Sequence, residues 1–169
     1  MFNEAETNQL LELNARLMTE SEMIGWLCTA HSNRVHYHNN QEATNRVQQQ
    51  LNKASNLICL AYIWALLDEH GFNENNKWIR TKDRVELKAW KHVRHTGAHA
   101  PGGRANRYYD EFNTFMSSDE TGLSGLKQNC KFTETSIDLT DGMSYRFFQF
   151  VQELIKIAIG HCANGNEPT

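Results

Sequence analysis

The segment from Lys91 to Gly103, KHVRHTGAHAPGG, combines side chains suited to chemistry on a phosphate. It holds three of the eight histidines of the chain, together with Arg94 and a glycine-rich end. An arginine guanidinium stays charged at any cellular pH and can bind a phosphate through two parallel hydrogen bonds. A histidine imidazole titrates near neutrality and can transfer a proton. We therefore predict that this segment acts on a phosphate group.

The charge of the surrounding sequence favours a polyanionic ligand. Residues 77–107 contain nine basic and two acidic side chains, a net charge of +7, whereas the whole chain carries −3. A strongly basic segment inside an acidic protein is typical of a polyanion site. A solvated basic surface without a ligand is the alternative, because such surfaces are common.

Length and composition predict one ordered domain. A chain of 169 residues is long enough to bury a substantial core. The longest apolar run, residues 57–67, is much shorter than the roughly 20 residues that span a bilayer. The four cysteines form no Cys-x-x-Cys pair, so we expect neither a structural zinc site nor a disulfide framework. We predict a single domain over residues 1–162, a disordered tail over 163–169 and a cytoplasmic protein without a signal peptide.

The apolar periodicity predicts helices that would position this segment. Capping residues and apolar spacing favour helix starts at or near Asn3, Ser21, Gln41, Thr81, Asn106 and Thr140 or Asp141. The helix from Gln41 is the longest, and its second half is apolar all round, which predicts a central position. Helix ends are expected at Gly71 and Gly160, and a break or kink at Thr96-Gly97. Arg94 then lies close to the end of a basic helix.

One stretch favours strands. Residues 127–139 contain the β-forming side chains Phe132, Thr133, Thr135, Ile137 and Leu139 in partial alternation. We predict a small β-hairpin near 127–139. The expected fold is therefore an all-α bundle of about five or six helices with one hairpin.

The run Arg94-His95-Thr96-Gly97-Ala98-His99 resembles the signature of the HEPN superfamily. That signature is an arginine, a polar residue directly after it, and a histidine a few residues further on. His95 stands at the polar position, where asparagine is the commoner residue. The resemblance covers the motif, the basic helix before it and the all-α setting, and it implies a HEPN-like helical domain.

This resemblance implies metal-independent endoribonuclease activity that needs no cofactor. The ribose 2′-hydroxyl attacks the adjacent phosphorus and leaves a 2′,3′-cyclic phosphate, so the enzyme needs only proton transfer and charge neutralisation. His99 would act as general acid and base, and Arg94 would bind the scissile phosphate and stabilise its transition state. His95 would orient or assist.

The resemblance also implies partners. One arginine and one histidine leave a second proton-transfer role unfilled, and a two-fold homodimer would bring two copies of the motif into one cleft. The best candidates for RNA binding are Lys91, Arg104 and Arg107 on flanking phosphates, with Tyr108 or Tyr109 stacking on a base. Small HEPN ribonucleases are commonly toxins or phage-defence effectors restrained by an antitoxin or other partner.

Two other functions stay open at this point. A protein of the same architecture could be a non-catalytic nucleotide-binding, RNA-binding or interaction module, in which Arg94 is an ion-pair partner and His95 a helix-terminal charge. Alternatively, the chain could be a histidine-rich metal-binding bundle. Its ligands would come from His92, His95 and His99 at helical spacing, joined by His31, His36 and His38.

Overall fold

The computed structural model describes residues 4–29, 40–98, 110, 113–114, 116–117, 126, 130–133, 136–139 and 142–165. Its long helices, numbered in chain order, are α1 (Glu4–Thr19), α2 (Ser21–Thr29), α3 (Gln41–Glu69), α4 (Thr81–Ala98) and α5 (Met143–Asn164). The few described residues between 110 and 126 are helical as well. The predicted all-α bundle is confirmed by this architecture.

A short strand pair accompanies the helices. Strand β1 (Cys130–Thr133) pairs antiparallel with β2 (Ser136–Leu139), so that Cys130 lies opposite Leu139 and Thr133 opposite Ser136. Strand β2 lies beside α3 and α4. The pair is therefore a small addition to a helical fold.

Helix α3 forms the centre of the molecule. Its start is capped by Asn40, whose Oδ1 accepts a hydrogen bond from the Ala43 N–H at 2.9 Å. One side of its second half is buried in the core, through Cys59, Leu60, Ile63, Trp64, Leu66 and Leu67, whereas Ile58 on the other side is 57% exposed. The chain leaves the helix through Gly71, whose φ of 62° is the left-handed conformation that glycine favours. The predicted end of this helix is confirmed.

An aromatic cluster joins α3, α4 and α5. The ring centroids of Trp64 and Phe147 lie 5.6 Å apart and those of Trp90 and Phe147 lie 5.0 Å apart. Such pairs contribute about 0.5–1.5 kcal/mol each beyond the burial of their area. Helix α1 covers the same core with Leu10, Leu13 and Leu17. The basic helix α4 is therefore anchored on its apolar side to the centre of the fold.

Two predicted breaks are wrong. Helix α4 continues through Thr96-Gly97 to Ala98, because one glycine costs a helix only about 1 kcal/mol and does not by itself end it. Helix α5 continues past Gly160 to Asn164, so Ala163 and Asn164, which we assigned to the tail, are its last residues. The left-handed residue that ends α5 is Gly165, with a φ of 65°.

The start of α5 also differs from the prediction. Neither Thr140 nor Asp141 is the N-cap; Gly142 holds that position and provides no side-chain hydrogen bond. Instead, the buried Asn56 of α3 accepts a hydrogen bond from the Ser144 N–H through Oδ1, at 3.1 Å. A side chain from another helix therefore caps α5, which no local sequence pattern could indicate.

None of the described helices combines the length and apolar character needed to cross a membrane.

Candidate functional site

Helix α4 carries the described part of the candidate site. Lys91, Arg94 and His95 lie in its last two turns, separated by three and four residues, so their side chains emerge from neighbouring positions on the helix surface. The other predicted site residues, His99, Arg104, Arg107 and Tyr108, lie outside the described residues, as does Tyr109. The structure therefore describes three of the seven predicted side chains, all at the end of one helix.

Arg94 extends from α4 towards α3. Its guanidinium carbon lies 5.9 Å from the ring centroid of Trp64, which stacks on Phe147 of the core. Its Nη1 donates to Asp68 Oδ2 at 3.3 Å. The arginine side chain is 31% exposed and that of Asp68 is 57% exposed, and an exposed ion pair at this distance contributes at most about 1 kcal/mol. Arg94 is thus oriented by an aromatic face and a weak ion pair, and its side chain is partly exposed.

The two histidines of α4 have different environments. His95 is half-buried in the last turn, where the helix dipole favours a positive charge. His92 is only 6% exposed. Within the described ranges, no three histidine, cysteine, aspartate or glutamate side chains come together as a metal site requires. His31, His36, His38 and His99, which the metal-binding hypothesis also needs, lie outside those ranges.

Lys91 forms an ion pair with Glu74. Its Nζ donates to Glu74 Oε1 at 2.7 Å. Burial on its own raises the pKa of Glu74, but the hydrogen bond from Lys91, a backbone hydrogen bond and the charges of Lys91 and Lys88 outweigh it and leave the pKa below its ordinary value. Glu74 is therefore ionised at neutral pH and cancels much of the charge of Lys91.

Acidic side chains neutralise much of the predicted basic segment. Four of its basic residues form ion pairs with carboxylates in the fold: Lys77 with Glu6, Arg80 with Asp83, Lys91 with Glu74, and Arg94 with Asp68. Three of these acids lie outside residues 77–107 in the sequence. The local positive field is therefore weaker than a count of charges along the segment predicts.

Two further basic residues, Arg84 and Lys88, line a cavity of about 300 Å³ together with Glu74, Asn75 and Val85. The Arg84 Nε donates to the Ile79 carbonyl at 2.9 Å, and this neutral acceptor leaves the charge of the guanidinium uncancelled. Neither Arg84 nor Lys88 is among the site residues predicted from the sequence. Lys88, Lys91 and His95 follow Arg84 at four, seven and eleven residues, and this helical spacing is the signal that could have identified both residues.

Another carboxyl on α4 has a strongly altered acidity. The pKa of Glu86 is raised to about 7, because burial and, to a smaller extent, the charge of Asp83 oppose its ionisation, and a long hydrogen bond from Trp90 Nε1 at 3.4 Å only partly offsets them. Trp90 packs on Phe147 in the core. This carboxyl therefore belongs to the packed side of α4 and takes up a proton near neutral pH.

With this geometry, helix α4 can present an oriented guanidinium, a half-buried imidazole and a row of cations to an anionic ligand. Comparison of the chain with family models, with curated proteins and with solved structures found no match.

Proposed function

We propose that this protein is a metal-independent endoribonuclease of the HEPN type. The observation that carries the proposal is the environment of Arg94. Its guanidinium lies over the Trp64 ring, 5.9 Å from the ring centroid, and donates through one nitrogen to the exposed Asp68, at 3.3 Å. A guanidinium has five N–H donors, so a phosphate can bind it without dismantling this environment.

The proposed reaction uses the substrate's own nucleophile. The ribose 2′-hydroxyl loses its proton and its oxygen bonds to phosphorus, while the bond from phosphorus to the 5′-oxygen breaks and that oxygen takes up a proton. The products are a 2′,3′-cyclic phosphate and a 5′-hydroxyl. Arg94 neutralises the phosphorane, His99 transfers protons and His95 assists.

The protein acts as a homodimer in this proposal. One chain supplies one histidine in the position of His99, whereas the reaction needs a base for the 2′-hydroxyl and an acid for the 5′-oxygen. A two-fold axis beside the motif supplies the second copy. A biological role as a toxin or phage-defence effector, held inactive by a neutralising partner, is part of the same proposal.

Cleavage in EDTA tests the proposal. We expect the native chain to cut a mixed-sequence RNA in the presence of EDTA and to leave 2′,3′-cyclic phosphate ends. Arg94→Ala and His99→Ala should each reduce the rate by about 100-fold or more. Asp68→Asn is the matched control, because it removes the ion pair of Arg94 but keeps the guanidinium, so it should still cut.

Three results would count against the proposed activity or the roles assigned to Arg94 and His99. The first is that the native chain leaves RNA intact with and without added metal ions. The second is that Asp68→Asn loses as much activity as Arg94→Ala, because the ion pair itself would then matter. The third is cutting that survives His99→Ala. If RNA binds but is never cut, the non-catalytic binding module replaces the nuclease.

A further inference from the structure

The exposed side of α4 carries a row of basic side chains that ends beside Arg94. Arg84, Lys88, Lys91 and His95 follow one another at steps of four, three and four residues, so they form one stripe along the helix. With a rise of about 1.5 Å per residue, Arg84 lies about 15 Å from Arg94 along the axis. The stripe therefore leads from the candidate site towards the start of α4.

The first two members of this stripe lie at the surface beside a cavity. Lys88 is exposed and Arg84 is half-buried, and both line the cavity of about 300 Å³. The bond from Arg84 Nε to the Ile79 carbonyl restricts the arginine side chain without cancelling its charge. Such a restricted guanidinium loses less rotamer freedom when it binds a phosphate.

We propose that Arg84 and Lys88 form a second phosphate-binding site, which holds the RNA strand about four nucleotides from the bond that is cut. A stacked strand advances about 3.4 Å per nucleotide, so the 15 Å from Arg94 to Arg84 corresponds to about four of them. The identity of the ligand as RNA rests on the proposed function. The contacts are to the sugar–phosphate backbone, so they bind any base sequence equally.

Glu74 limits the affinity of this second site. It lines the same cavity and holds Lys91 in an ion pair at 2.7 Å. The positive charges of Arg84, Lys88 and Lys91 attract an approaching phosphate, and the negative charge of the Glu74 carboxylate weakens that attraction. Removal of that carboxylate would free Lys91 for the strand and strengthen binding.

Binding of a fluorescein-labelled 12-nucleotide single-stranded RNA tests the proposal, with every variant in a His99→Ala background that prevents cutting. The double variant Arg84→Ala/Lys88→Ala should bind on the order of 10- to 100-fold more weakly. Because each phosphate contact contributes about 0.7 to the slope of log affinity against log salt, that slope should become shallower by about 1.4. Glu74→Gln should bind about fivefold more tightly or better.

The matched control is Arg46→Ala/Lys53→Ala, which removes one arginine and one lysine from exposed positions on α3. These lie about 33 Å and 22 Å along α3 from Asp68, the residue that contacts Arg94. This control should keep its affinity within about twofold. Thermal unfolding of all variants separates lost contacts from lost folding, and a gain of affinity in Glu74→Gln cannot arise from misfolding.

The outcomes separate this proposal from the nuclease itself. If the native chain cuts RNA but the double variant and the control bind alike, the second site is wrong and the nuclease stands. If RNA is never cut yet binding depends on Arg84, Lys88 and Glu74 as described, the second site stands without the nuclease. The second site is also wrong if the His99→Ala chain does not bind RNA, or if it binds polyglutamate selectively in place of RNA.

Discussion

Glu86 shows how the acidity of one residue affects the stability of the fold. Its pKa in the folded protein is about 7, above the ordinary value of 4.5, because burial opposes its charge. The folded chain therefore holds this proton more tightly than the unfolded chain. The free energy of unfolding should consequently fall as pH rises from about 4.5 to about 7 and stay low above that range.

Glu86→Gln should remove this part of the pH dependence. The variant should match the native chain closely at pH 4 and be more stable at pH 8, by up to about 3 kcal/mol, because glutamine carries no charge to bury. Urea unfolding at both pH values measures the difference. The control Glu153→Gln, at an exposed position on α5, should stay within about 0.5 kcal/mol of the native chain at both. Equal effects of the two variants would contradict the burial of Glu86.

At the scale of elements, the contact between Asn56 and the start of α5 joins two helices that are distant in sequence. Asn56 also donates from Nδ2 to the Asn52 carbonyl at 3.0 Å, which directs Oδ1 towards the Ser144 N–H. Asn56→Ala leaves that buried N–H without its acceptor, at a cost of about 1–3 kcal/mol. We expect a drop in melting temperature of about 2–4 °C per kcal/mol.

Circular dichroism during thermal unfolding measures this effect. Gln49→Ala changes an exposed position of the same helix α3 and should alter stability by less than about 0.5 kcal/mol. If Asn56→Ala behaves like Gln49→Ala, the cap of α5 does not depend on Asn56.

At the scale of the whole molecule, the proposed reaction requires two chains. Native chains mixed with an equal amount of His99→Ala chains, after exchange of subunits, should form native dimers in about one quarter of cases. If each cleft needs both histidines, the specific activity of the mixture should fall to about one quarter of that of the native protein. The measurement is the initial rate of RNA cleavage at constant total protein.

A fall to about one half would instead indicate that each chain cuts by itself. The control is a mixture with Asp68→Asn chains, which keep both Arg94 and His99 and should leave the rate close to that of the native protein.

The sequence alone predicted those parts of the fold that depend on neighbouring residues. The buried stripe of α1, the long central helix α3 and its end at Gly71 all follow from apolar spacing and from local backbone preferences. The ends of α4 and α5 could not be predicted in this way. In both, the helix passes a glycine, because favourable helix hydrogen bonds and, in α5, the burial of Cys162 outweigh the weak local preference.

The same distinction between local and tertiary effects applies to the candidate site. Sequence alone determined that Lys91, Arg94 and His95 share the end of one basic helix, because residues three and four apart lie side by side on any helix. Only the tertiary structure brought Asp68 to Arg94 and Glu74 to Lys91, across 26 and 17 residues of chain. Charges separated so far in sequence meet only when helices pack, so the net charge of a segment does not predict which of its cations remain available to a ligand.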